Sequence, residues 1–362
     1  MKEKINQFMD CIEPMPVVER LDNECWGTPM TGPRDQGNGL EDRTMAEYSY
    51  WDGGILKDPE SGTYHLFASR WEQKGGHWGN NEGPGWLGSQ AVYAVSSCLY
   101  GPYEDKGPLW PDWYEGAGHN VFPFVISRHD PLYQTGFRYA VCVSDVGRHG
   151  KEANGTLHVS KSLSGPWELL DNGNGGRLRC GEGIALSNVS IAVKEGGAYI
   201  AINRRGDILV SDSLAGAWDC KLRCLWASIP AMKDRIPYIE DGVIWSSGGL
   251  LHIVVNDWDA RYAYYLTSED GLDWTLRRGC AYTPTENFIR YEDGTVNRWT
   301  KLERPNVYVE NGKIRAMTFA AIDVQKEDDL GNDEHGSKVI VVPFSDDKLR
   351  RFLADRECEA QA

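Results

Sequence analysis

Short apolar runs broken by turn residues recur along the whole chain, and a helical period is nearly absent. Four of these runs, Ala91 to Val95, Thr156 to Val159, Asp207 to Val210 and Ala263 to Leu266, read as strands. Each leads into a Ser or Thr, a short polar step, a Gly and then an aromatic. The segments are Ser96-Ser97-Cys98-Leu99-Tyr100-Gly101-Pro102-Tyr103, Ser160-Lys161-Ser162-Leu163-Ser164-Gly165-Pro166-Trp167, Ser211-Asp212-Ser213-Leu214-Ala215-Gly216-Ala217-Trp218 and Thr267-Ser268-Glu269-Asp270-Gly271-Leu272-Asp273-Trp274. A strand, a tight turn and a second strand opened by an aromatic make a hairpin. The closing aromatics are 64, 51 and 56 residues apart, the mark of a repeated unit.

A second series of strands interleaves with the first: Gly54 to Leu56, Val121 to Ile126, Val189 to Val193, Val243 to Trp245 and Asn306 to Val309. Each precedes a turn and another apolar run, as in Ile244 to Val255. With these strands innermost and the hairpins outermost, the pattern predicts an all-β fold. It is a five-bladed β-propeller, with four-stranded antiparallel blades around a central channel. The last blade shows only Asn306 to Glu310, Ile314 to Ala320 and Val339 to Phe344, so its outer strand is expected from the N-terminal extension, residues 1–46. Only Asp346 to Ala354 suits a helix, at the start of a charged tail over 346–362. No linker divides the 362 residues, and a single domain is expected because each blade carries its own small core.

Composition narrows the partners. The net charge is −15, from 53 acidic and 38 basic residues, which excludes nucleic acid, since phosphate binding needs a basic footprint. No basic amphipathic stretch points to a membrane surface, and no run approaches the ~20 apolar residues of a spanning helix. Lys2, Glu3, Lys4, Asp10 and Glu13 interrupt the N-terminal stretch, unlike a signal peptide. Nine cysteines, an odd and scattered set including Cys25 and Cys358, fit free thiols in a reducing cytoplasm. Fourteen Trp supply core packing and flat platforms for sugar rings.

Candidate chemistry lies just before each inner strand, where side chains from five blades converge on the channel. The segments are Trp51-Asp52-Gly53-Gly54, His119-Asn120, Ser187-Asn188, Glu240-Asp241-Gly242 and Glu303-Arg304-Pro305. One acid beside Gly caps a turn. Five aligned polar positions, Asp52, Asn120, Asn188, Asp241 and Glu303, exceed what turns require. Carboxylates facing one pocket suit glycoside hydrolysis, where one is ionised to activate water and another is kept protonated for the leaving oxygen. Trp51, Trp245 and Trp299 are candidate aromatic walls. The loop Gln73 to Gln90 and its neighbour Pro108 to Gly118, with Trp110, Trp113 and Tyr114, would overhang the pocket. His77, His129, His149 and His335 read as solvated loop residues, and His158 as structural.

The Trp-Asp-Gly-Gly start, the Gly-Pro-Trp hairpin, Glu240-Asp241-Gly242-Val243-Ile244-Trp245 and Leu302-Glu303-Arg304-Pro305 together resemble the five-bladed glycoside hydrolases of families 43 and 117, over residues 47–345. The Glu-Arg-Pro motif favours the family-117-like branch. That resemblance implies a general base on blade one, matched by Asp52, and a pKa-tuning carboxylate on blade four, matched by Asp241. It implies exo-acting, inverting hydrolysis of a small carbohydrate substrate, a furanoside, L-sugar or anhydrosugar. It implies no cofactor, although a structural calcium ion occupies the channel of many family 43 propellers. Ser187-Asn188 stands where family 43 carries its acid Glu. The acid is therefore expected from the last blade as Glu303, with His119 and Glu240 as the other choices. Trp51, His119, Asn120, Asn188, Glu240, Trp245 and Arg304 are expected to bind substrate, with Arg304 holding Glu303 in preference to pairing with a substrate carboxylate. A phosphorylase, needing Arg204, Arg205 and Arg304 around the pocket, and a non-catalytic sugar-binding propeller are the competing readings. Oligomeric state is not encoded in any of these features.

Overall fold

The computed structural model describes residues 4–17, 31–110, 118–145, 155–286, 288–331 and 335–355. Cys25, Trp113, Tyr114, His149 and Cys358 lie outside them. Five antiparallel sheets are arranged as blades of a propeller. Blade I holds β1 (Tyr48–Lys57), β2 (Tyr64–Glu72), β3 (Gln90–Ser96) and β4 (Glu104–Pro108). Blade II holds β5 (His119–Val125), β6 (Tyr139–Ser144), β7 (Gly155–Ser160) and β8 (Glu168–Leu169). Blade III is built from β10 (Ser190–Val193), β11 (Tyr199–Ile202), β12 (Ile208–Ser211) and β13 (Ala217–Leu222), with β9 (Arg179–Cys180) added in parallel at its outer edge. That fifth strand departs from the expected four. Blade IV holds β14 (Ile239–Ser247), β15 (Leu250–Asp257), β16 (Tyr262–Ser268) and β17 (Thr275–Leu276), and blade V holds β18 (Lys301–Glu310), β19 (Lys313–Ile322) and β20 (Ser337–Pro343).

The hairpin repeat forms the third and fourth strands, counted from the axis, of blades I to IV. Its serines have a specific use. Ser96, Ser160 and Ser211 each accept, through Oγ, the amide two residues on, at 3.1, 3.2 and 3.3 Å, which pins the turn. Its aromatics Tyr103, Trp167, Trp218 and Trp274 are all buried between blades. There they supply the large apolar area that each small blade needs.

Blade V is completed by the N-terminal segment. Leu40 and Val339 exchange both backbone hydrogen bonds at 2.9 Å, and the Asn38 side chain bonds both backbone groups of Val341 at 2.8 and 3.0 Å. Gly39 between them has φ +70°, and a Cβ there would fall 1.8 Å from the Val339 carbonyl oxygen, so only Gly fits. Buried Lys338 anchors the same segment through Glu41, which Arg34 also binds. The helix Asp346–Ala354 forms where expected, capped by Ser345. Among the described residues the seven cysteines are free, and no helix is long and apolar enough to cross a membrane.

Candidate active site

In blades I, II, IV and V the inner strand begins earlier than its apolar run, so the candidate residues sit within it, whereas Ser187 and Asn188 precede β10 as expected. Four of the five inner strands shift register there, between Trp51 and Gly54, His119 and Phe122, Glu240 and Val243, and Glu303 and Asn306. At each site one non-glycine residue takes a left-handed backbone: Asp52 (φ +63°), Asn120 (+52°), Asn188 (+52°), Asp241 (+62°) and Arg304 (+50°). Asp and Asn tolerate this region better than other residues with a Cβ. A bulge of this kind re-aims side chains, here toward the axis.

The axial ring therefore contains Arg304, where Glu303 was expected. Arg304 Nε lies 3.2 Å from Asp241 Oδ2 and 3.7 Å from Asp52 Oδ1, and its Nη1 donates to Asn120 Oδ1 at 2.6 Å. Asn188 Nδ2 donates to the other oxygen of Asp241. Asp52 Oδ2 accepts from Ser69 Oγ and, at 3.3 Å, from the Val121 amide. Its Oδ1 is buried with no hydrogen-bond partner. Arg304 thus holds the two aspartates and not Glu303. A small cavity of about 20 Å³ lies among Asp52, Asn120, Asn188, Asp241 and Arg304.

One position earlier in the chain at each site stands a second tier: Trp51, His119, Ser187, Glu240 and Glu303. All five line a larger pocket of about 270 Å³, with Asn188, Asp241 and Arg304 at its base. Loop residues complete it: His77, Trp78 and Trp86 from the Gln73 to Gln90 segment, Arg204 from the β11–β12 turn, and Lys326 after β19. The overhanging loop is where the sequence placed it. His77 is not solvated as expected; it is buried, edge-on to Trp51 at 5.2 Å. Lys326 carries no sequence signal, being one charge in the polar run Gln325 to Asp329, yet it binds Glu303 and sits 4.8 Å over the Trp51 ring.

Two expected walls lie elsewhere. Trp245 stacks on His252 at 5.0 Å inside the main core, and Trp299 is buried in the same core. Trp245 follows the bulge by two residues, and its ring packs against Phe8 of the N-terminal segment at 6.2 Å and Tyr265 of its own blade at 6.4 Å. Trp110 stacks on His158 at 3.9 Å, on blade II.

Electrostatics separate the two glutamates of the upper tier. Burial and the negative charge of Asp241 push the Glu240 carboxyl above its ordinary range, against the pull of Arg204, which donates to it from Nε at 2.9 Å. Glu303 is buried too, but Lys326 and then Lys301 bring its pKa below the ordinary value. Burial and Arg304 hold the His119 pKa well down, so its ring is neutral. Arg304 Nη2, which can only donate, faces His119 Nε2 at 3.3 Å. The proton is therefore on Nδ1, toward Ser89 Oγ at 3.5 Å. No group of three or more His, Cys, Asp or Glu among the described residues is arranged to hold a metal. The guanidinium of Arg304 stands between Asp52 and Asp241, the acids a channel calcium would need, so these residues do not suit that ion.

No protein-family profile and no curated protein sequence matches the chain. Solved structures do match its fold. A family 117 glycoside hydrolase of the marine bacterium Zobellia galactanivorans superposes with a TM-score of 0.54 at 11% identity, over 85% of this chain and 88% of that one. A family 43 β-xylosidase/α-arabinofuranosidase from a compost microbial metagenome, solved with xylotriose in a calcium-free form, gives 0.51 at 14% identity, over 85% and 94%. The chain has the five-bladed propeller fold of these glycoside hydrolases.

Proposed function

We propose that the protein is an exo-acting, inverting glycoside hydrolase on a small oligosaccharide or glycoside, of furanoside, L-sugar or anhydrosugar type. The observation that carries this reading is the placing of Asp52 on a small cavity that shares Asn188, Asp241 and Arg304 with the pocket lined by Glu240 and Glu303. Glu240, whose pKa burial and the charge of Asp241 raise, is the general acid. Asp52 is the general base: one oxygen is fixed by Ser69 and Val121, and the other makes no hydrogen bond, faces Arg304 Nε at 3.7 Å and belongs to the residues lining a cavity of about 20 Å³. That volume suits a single water. A sugar in the upper pocket would lie between this water and Glu240, the order a single displacement requires.

Glu303 is the wrong group to donate a proton, because Lys326 stabilises its ionised form. Its role is to accept hydrogen bonds from sugar hydroxyls, beside the Trp51, Trp78 and Trp86 faces. Asp241 and Asn188 hold Arg304 and the floor. A pocket of about 270 Å³ bounded by residues of the Gln73 to Gln90 loop supports binding of a chain end.

The phosphorylase reading gains Arg204, Arg304 and Lys326 at one pocket, yet each is paired with an acid of the site. A screen of nitrophenyl furanosides and pyranosides, with and without phosphate, separates the readings. Release of nitrophenol without phosphate is expected from at least one glycoside. Turnover only with phosphate means a phosphorylase, and binding without turnover of any member means a sugar-binding propeller.

A further inference from the structure

Beside the pocket, between blades III and IV, runs a groove of about 810 Å³. It shares Ser187, Arg204 and Glu240 with the pocket, so the two form one continuous surface. Arg204, Arg205 and Arg223 all line it, in a chain whose net charge is −15. Arg223 is steered into place by Asp207 at 3.2 Å and by the Gly183 carbonyl at 3.1 Å. Arg205 is exposed and makes no side-chain hydrogen bond or ion pair among the described residues. Ile236 and Pro237 give the groove an apolar side.

We propose that this groove is the leaving-group subsite, and that it takes a sugar bearing a carboxylate or a sulfate. The inference rests on Glu240 as the acid. The leaving oxygen must lie beside Glu240, and the groove continues outward from that residue. Planar guanidinium forks match carboxylate and sulfate oxygens in paired hydrogen bonds, while a neutral sugar offers no charge to either. Arg204 is paired with Glu240 and Arg223 with Asp207, which leaves Arg205 as the guanidinium of this wall open to an anion. An apolar side with a few directed polar groups, in a volume of this size, is the usual make-up of a ligand site.

The test is binding, read without turnover. Isothermal titration calorimetry would compare digalacturonate, a galactose-6-sulfate disaccharide and neutral galactobiose, on the wild-type protein and on Arg205→Ala. At least one acidic probe is expected to bind about tenfold or more tightly than galactobiose, as a charged hydrogen bond gives. Which probe does so identifies uronate or sulfate as the recognised group. The preference should fall about tenfold in Arg205→Ala and shrink between 0.1 M and 1 M NaCl, where screening shortens from ~10 Å to ~3 Å. Equal binding of all three probes, or a preference that survives in Arg205→Ala, overturns the subsite. Because no hydrolysis is needed, a protein that cleaves nothing yet keeps the preference overturns the hydrolase reading alone.

Discussion

Asp52→Asn is expected to lower kcat by about 10²–10⁴, the usual contribution of a general base, while the protein stays folded. The backbone argument for folding is specific. Asp52 has φ +63°, and the equivalent positions of blades II and III are already Asn120 and Asn188, both at φ +52°. Asparagine therefore suits this bulge, and its side-chain oxygen can still accept from Ser69 and the Val121 amide. What disappears is the ability to take a proton from water. Steady-state kinetics with thermal melting checks the point. A fall below tenfold at an unchanged melting midpoint would remove Asp52 from the chemistry.

Glu240→Gln is expected to cost a similar ~10²–10⁴ on substrates with sugar or alkyl leaving groups, and far less on dinitrophenyl glycosides. A good leaving group departs without a proton, so only an acid shows this dependence. The same residue sets the alkaline side of the pH profile. A general acid works only while protonated, so kcat/KM falls as pH rises through its pKa. Burial and Asp241 raise that pKa, which places the fall above the ordinary glutamate value of about 4.3. In Glu240→Gln the alkaline limb should vanish. Equal losses on both leaving-group classes would mean that Glu240 positions substrate only, and Glu303→Gln would then be the variant expected to show the dependence.

The architecture was legible because it is written in repeats: a Ser-pinned hairpin with a buried closing aromatic, and an inner strand opened by a polar dipeptide. Closure of blade V was not traceable to particular residues. It depends on backbone pairing of Leu40 with Val339 and on the space around Gly39, neither of which leaves a hydrophobic pattern. In the site, residue type and register gave different answers. Choosing by charge puts Glu303 on the axis, whereas counting the second residue of each dipeptide puts Arg304 there, and the left-handed backbone follows the count. Glu303 and Glu240 differ for a related reason. Lys326 arrives from a loop 23 residues later, and without it nothing distinguishes Glu303 from Glu240. Nearness to Asp241 in sequence makes Trp245 a candidate wall, but beyond a bulge that nearness does not decide which face a side chain takes.

Central to the account is a single displacement, with Asp52 activating water beneath the sugar and Glu240 protonating the leaving oxygen at the rim. Proton NMR of the first-formed sugar, recorded before mutarotation on any glycoside the protein cleaves, tests this directly. The inverted anomer is the expected product, since a carboxylate acting through water needs the wider spacing of about 6.5–9.5 Å. Retention of the substrate's configuration would contradict the account, because it requires a carboxylate to attack the sugar itself.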